Sequence, residues 1–230
     1  MVRPKRTDQN TQLEEDIKAT AWQQIHEQGA AALSLRGIAR ELGIAAPSIY
    51  HYFPTRDDLV TALIVEAFHA LAETLRQART AAAQEEAGGQ LAALALAYRQ
   101  WAVSYPQRYQ LVFGTPIPGY VAPEAVTLPA ATAGFIPLTG VLQAAWEADQ
   151  LRVEQLAPLT PELKAMLAAW QKVEGHSDVE VLYLALTFWS RLHGLMTFEV
   201  NGLYPSFITD PGEVFRREIH TFIDHYLRKK

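Results

Sequence analysis

The sequence predicts an all-α fold, with a small three-helix module in residues 1–58 and a larger helical domain in residues 59–230. Three observations carry that prediction. Apolar residues recur three and four apart through most of the chain, which is the spacing of a helix with one buried face. Glycines and prolines fall where such runs stop. Residues 34–59, SLRGIARELGIAAPSIYHYFPTRDDL, read as two short helices joined by a glycine turn and followed by a freshly capped third. At 230 residues the chain exceeds one small domain, and a 49% hydrophobic content supplies ample core.

The first helix carries Ile17, Ala21 and Ile25 along one stripe and ends at Gly29. In the next, Leu35, Ile38, Ala39 and Leu42 share a face while Arg36, Arg40 and Glu41 stay wet. Ser34 can cap this helix, but Gly37 stands at the partner position, so no reciprocal capping box forms. Gly43 tolerates the left-handed backbone that ends a helix. A further helix starts near Ala46, with Pro47 in the first turn, where a missing N–H is not needed. Ile49 and Phe53, four apart, anchor it, leaving Ser48, Tyr50, His51 and Tyr52 on or near its other faces. Thr55 and Asp58 form a capping-box-like pair that opens a helix through Leu59, Leu63 and Phe68.

Beyond residue 60 the chain reads as a series of helices. One occupies residues 59–83 and is followed by a break at Gly88 and Gly89; another runs over 90–105 and stops at Pro106, and a short one covers 107–113. Between residues 114 and 137, five prolines and three glycines forbid a long helix, and the span reads as a loop with one broken helical piece. Such a span is either a lid or entrance to a site or a variable surface loop. Helices follow at 138–151 and 161–173. Residues 178–203 are apolar on nearly every face, which implies burial on more than one side. The final segment, 211–227, places Phe215, Ile219, Phe222, Ile223 and Tyr226 on one stripe. Pairing these last two helices with their copies in a second subunit would bury the surplus in a four-helix interface, so a homodimer is expected.

Two helices joined by a glycine turn are the layout of a DNA-reading helix-turn-helix. The net charge of −5 is compatible with that once it is localised: Arg3, Lys5 and Arg6 stand at the tip without an acid, while 13 basic and 17 acidic residues lie beyond residue 60. Tyr50 and His51 are the first choices for contact with phosphate or a base edge, with Ser48 close behind. Tyr52, Arg36 and Arg56 would hold the phosphate backbone and fix register. In a two-fold dimer the recognition helices reach successive major grooves about 34–36 Å apart, so the expected partner is double-stranded DNA bearing an inverted repeat.

Other classes are disfavoured. With no cysteine, thiol redox sensing, disulfides and cysteine-based zinc sites are excluded. Glycine-rich phosphate loops, nucleophile elbows and zinc-hydrolase motifs are missing, and the histidines lack metal-ligand spacing, His220 and His225 being five apart. No catalytic residue, metal or cofactor is expected. The polar opening residues carry no signal pattern and no apolar run suits a bilayer, so a soluble, cytoplasmic protein with no membrane partner is expected.

The 34–59 block resembles the DNA-binding domain of the TetR/AcrR family of bacterial transcription regulators. The matching features are Ile38-Ala39, Leu42-Gly43-Ile44, the run from Ser48 to Phe53, and Arg56 to Leu59. Trp189-Ser190-Arg191-Leu192-His193-Gly194 looks like the Trp/His/Gly signature of one group of the family's C-terminal domains. Ala45 departs from the pattern where serine or threonine is common, and Ala46-Pro47 replaces a more polar start. The resemblance implies a dimeric transcriptional regulator, commonly a repressor, that a small-molecule effector releases from its operator.

An apolar or aromatic effector would suit a cavity lined by Tyr98, Trp101, Tyr105, Tyr109, Phe113, Trp146, Phe188, Trp189 and His193, with Phe68 and Trp170 adding to the aromatic lining. His69, Arg99 and Arg191 could orient it. The same residues at helical spacing also read as plain core, and His193 beside Gly194 as a satisfied structural histidine. The competing readings are a helical ligand-binding dimer without a DNA function, and an enzyme.

Overall fold

The computed structural model describes residues 6–175 and 177–228, and their side chains apart from those of residues 6–10, 173 and 174. Arg3, Lys5 and the side chain of Arg6, the basic tip, therefore lie outside the described residues. The chain forms α1 (Arg6–Gln28), α2 (Leu35–Glu41), α3 (Ala46–Tyr52), α4 (Arg56–Ala81), α5 (Ala87–Ser104) and α6 (Pro106–Phe113). It continues with α7 (Glu124–Ala133), α8 (Ile136–Glu147), α9 (Pro161–Glu174), α10 (Val179–Val200) and α11 (Pro211–Tyr226). The fold is all-α: among the described residues the only extended pairing is an isolated antiparallel bridge between Leu151 and Leu227.

Packing divides the chain into two compact units, residues 1–68 with 105–131 and residues 69–104 with 132–230. A cut at residue 58 separates the helix-turn-helix from the rest by role. By packing, the first half of α4, all of α6 and most of α7 go with the helix-turn-helix.

In the first unit, local chemistry sets the helix ends. Gly29, at φ +79°, terminates α1. The Gly37 N–H donates to Ser34 Oγ at 3.2 Å and caps α2. Gly43, at φ +65°, turns the chain while the Ile44 N–H returns to the Ala39 carbonyl at 3.0 Å. α3 starts at Ala45 without a side-chain cap. The reciprocal box at α4 is complete, with Asp58 N–H to Thr55 Oγ1 at 3.1 Å and Thr55 N–H to Asp58 Oδ2 at 2.9 Å. Ile17, Ala21 and Ile25 of α1, Ile38 of α2, Ile49 and Phe53 at α3, and Leu59 and Leu63 of α4 meet in one buried core. Leu111, Val112, Ile117 and Tyr120 pack on its edge. Glu66 ties three helices together: it accepts from Trp22 Nε1 at 2.9 Å and Arg108 Nη2 at 3.5 Å and lies 3.7 Å from Lys18 Nζ. The Arg108 guanidinium sits 5.2 Å above the Trp22 ring.

In the second unit α5, α8 and α10 pack on one another, with α9 and α11 against α10. Two expectations are corrected here. Gly88 and Gly89 do not break the chain; they lie in the first turn of α5, where a Cβ at Gly88 would come within 3.0 Å of Ile223 Cγ2. The glycine permits the close approach of α5 and α11. The 114–137 span carries no long helix, as expected: one ten-residue helical piece, α7, forms with Pro129 inside it, between irregular residues 114–123 and a turn at 134–135. The second correction concerns surplus apolar surface. On α10, Leu182, Ala185, Phe188, Leu192 and Met196 are buried, while Leu186 and Phe198 remain 39% and 48% exposed. On α11, Phe215, Ile219 and Phe222 are all buried, and the exposed face carries Arg217, His220, Thr221 and His225. Only α10 keeps an apolar surplus, because its partner helix spends its single stripe inside the unit.

Candidate nucleic-acid interface and cavities

α3 has seven residues, far below the roughly 12–15 at which an isolated helix becomes even marginally stable. Its tertiary anchors hold it. Ile49 is fully buried and Phe53 is 5% exposed, and burying each side chain contributes about 1.5–3 kcal/mol. With those two facing inward, Tyr50 (40% exposed) and His51 face solvent, while Ser48 and Tyr52 are half-buried. Tyr52 packs on the core edge, with the His51 ring edge-on to it at 5.4 Å. Arg36 is exposed on α2, as is Arg40, which the sequence reading left out of the site. A phenol, an imidazole and two guanidiniums exposed on α2 and α3 can donate to phosphate oxygens and to base edges.

Arg56 differs from its expectation. Its Nη2 donates to the Ala30 and Ala31 carbonyls at 2.9 and 3.3 Å, its Nε to Leu33 O at 3.2 Å, and its Nη1 lies 3.5 Å from Asp57. The guanidinium is spent on the carbonyls of the α1–α2 connection. It positions that turn rather than standing free for phosphate.

The expected aromatic cavity is not one chamber. In the second unit Tyr98, Trp189 and His193 cluster, with ring centroids 4.8 Å apart for Tyr98–Trp189 and 4.7 Å for Trp189–His193. The Tyr98 hydroxyl is hydrogen-bonded to His193 Nδ1. Burial pushes the His193 pKa down to about 4, so the ring is neutral at pH 7. Phe188 stacks on Phe222 at 4.2 Å. The void left beside Tyr98, Phe188 and Trp189 is about 10 Å³, at most one water, so these residues are packed core. Trp101 is 3% exposed, its indole N–H without an acceptor among the described residues, and Trp146 is half-buried on α8. Arg99 is ion-paired with Glu199, and Arg191 with Glu218 at 3.1 Å, so neither guanidinium is held in reserve for a ligand.

Tyr105, Tyr109 and Phe113 fall in the first unit. Tyr109 is buried against Phe113 at 5.4 Å, and Tyr105 is exposed beneath Arg108 at 5.1 Å. Near them opens a cleft of about 570 Å³, walled by Ile64 and Phe68 of α4, Leu111 and Val112 of α6, residues 114–117, Tyr120 and Ala122, and Glu124, Thr127, Leu128 and Ala131 of α7. None of the nine expected ligand residues lines it. The signals in the sequence were Phe68, named with the cavity aromatics, and the proline-rich span, whose Tyr120 Oη lies 2.9 Å from Thr61 Oγ1 of α4.

A second groove, of about 600 Å³, lies on the exposed face of α10 and α11, between Gly194, Phe198, Tyr204 and Glu218. Tyr204 Oη is buried there with no hydrogen-bond partner among the described residues. No group of three acidic, histidine or cysteine side chains that could hold a metal occurs among the described residues. No single helix among them is long and apolar enough to cross a membrane.

Comparison with known proteins bears on both units. Residues 17–63 match the family profile described as bacterial regulatory proteins, tetR family, and residues 91–222 the profile described as tetracyclin repressor-like, C-terminal domain. The HTH-type transcriptional regulator Mb1846 of Mycobacterium bovis is 34% identical over 217 residues, covering 92% of this chain and 91% of that protein. The HTH-type transcriptional regulator Rv1816 of Mycobacterium tuberculosis matches to the same extent, 34% over 217 residues. Among solved structures, that of the regulatory protein SCO4313 is 35% identical with a TM-score of 0.77, covering 96% of this chain and all of the other.

Proposed function

Since the chain belongs to the TetR family and is a DNA-binding transcriptional regulator, we propose that it acts as a homodimeric repressor that grips an inverted-repeat operator and lets go when a small apolar effector binds. The observation that carries this is the exposure of Tyr50 and His51 on a helix whose opposite side is pinned by Ile49 and Phe53. Such a helix presents side chains to a major groove without losing its own support. Tyr50, His51 and Ser48 read bases or phosphates, Arg36 and Tyr52 hold the backbone, and Arg56 shapes the turn behind them. The exposed stripe of Leu186, Ser190, Gly194 and Phe198 on α10 supports pairing with a second copy. Coupling of about 1–3 kcal/mol between effector and DNA would change operator affinity roughly 5- to 150-fold.

The test is selection of duplexes from a random pool by the purified protein, repeated with Tyr50→Ala. Recovery of an inverted repeat, bound at least about tenfold more weakly by the variant, is the expected result, with affinity falling steeply as salt rises. A folded dimer that enriches nothing would overturn the reading.

A further inference from the structure

We propose that the cleft walled by residues 114–122 is the effector site, and that it takes an apolar molecule which is uncharged or carries an amine, but not a carboxylate. This rests on the reading of the chain as an effector-controlled regulator and gives that effector a place and a chemistry. At about 570 Å³ the cleft falls within the range that holds drug-sized ligands, whereas the aromatic void in the other unit is about 10 Å³. Its walls are mostly aliphatic and aromatic: Ile64, Phe68, Leu111, Ile117 and Leu128 among them. The polar groups are two threonine side chains, the Tyr120 hydroxyl and a single charged group, the Glu124 carboxylate. No lysine, arginine or histidine lines it. A carboxylate brought there would lose water without a counter-charge and would meet a like charge at Glu124; an amine would meet an opposite one.

The position also supplies a route to DNA. Ile64 is 7% exposed and belongs to the same buried core as Ile49 and Phe53, the anchors of α3. Phe68, Leu111, Ile117 and Tyr120 pack against that core from the cleft side. Glu66, between Ile64 and Phe68 on α4, is the residue that holds Trp22 of α1 and Arg108 of α6. A ligand that parts α4 from residues 114–120 therefore strains the packing behind α3 within one compact unit.

The probes are decylamine, decan-1-ol and decanoate, which share a chain and differ in the head group. They are titrated calorimetrically at pH 7 into the 230-residue chain, into Leu128→Trp, which fills the cleft from a position 48% exposed, and into the exposed Glu124→Gln. The wild type is expected to bind the amine and the alcohol at least about tenfold more tightly than the carboxylate, a difference of about 1.4 kcal/mol. Glu124→Gln should erase most of the preference for amine over carboxylate, and Leu128→Trp should weaken all binding about tenfold or more. The proposal falls if decanoate binds as well as decylamine, if Leu128→Trp binds as the wild type does, or if the wild type binds none of the three. Duplex binding by the ligand-free protein is measured separately. Its absence would sink the regulator reading and leave the titrations to decide the cleft, whereas intact duplex binding with failed titrations would sink the cleft alone.

Discussion

Burial makes His193 a residue whose protonation opposes folding. Its folded pKa is about 4 against an ordinary 6.5, so on acidification the unfolded chain takes up the proton first. The stabilisation is complete above about pH 6.5 and is lost as the pH falls to about 4, with a total of the order of 3 kcal/mol. Urea midpoints measured from pH 7.5 to 4 should show a slope that is shallower in His193→Gln, which cannot titrate; parallel curves would refute the assignment. Arg56 and Arg36 separate two roles that look alike in sequence. Arg56→Lys replaces a planar fork, whose separate Nε and Nη2 reach the three carbonyls, with a single nitrogen, and should cost about 1–3 kcal/mol in stability while leaving the salt dependence of duplex binding unchanged. Arg36→Ala should do the reverse, lowering the salt slope by about 0.9 with little effect on stability. Both arginines sit in the helix-turn-helix stretch and both read as phosphate contacts. Only the carbonyls of Ala30, Ala31 and Leu33, more than 20 residues upstream of Arg56, distinguish them.

Elements whose limits are set by neighbours within a turn were legible. Ser34, Gly43, Thr55 and Asp58 act where the sequence placed them, because a cap or a left-handed turn needs partners only three or four residues away. Gly88 and Gly89 misled for the opposite reason: a glycine pair reads as a break until the helix that presses on it, α11, is known. The prolines of residues 114–137 were read rightly: they leave room for one short helix, and α7 accommodates Pro129 with Thr127 and Ala130 buried. The sequence already sets the two closing helices apart, one apolar on nearly every face and the other along one stripe, and the structure shows what each does with that surface. The stripe on α11 is consumed inside its own unit, and the exposed Leu186 and Phe198 leave the surplus to α10.

For the molecule as a whole, that surplus argues for a second copy. Replacing exposed Leu186 and Phe198 together by glutamate should leave the fold intact, since neither is buried, and should give a monomer by sedimentation. Because two half-sites are then no longer held together, operator affinity should fall by about two orders of magnitude or more. A variant that stays dimeric would move the interface off α10. The sequence by itself determined the helical class, the helix-turn-helix with its exposed Tyr50 and His51, and the absence of cysteine chemistry, all of which follow from spacing over a few residues or from composition, while its motifs pointed to the family by resemblance. Only the tertiary structure decided which aromatic residues are closed core, which arginine is already spent, and where open space lies. Those depend on pairs such as Thr61 with Tyr120, 59 residues apart, and on volume left between helices, which no local pattern encodes.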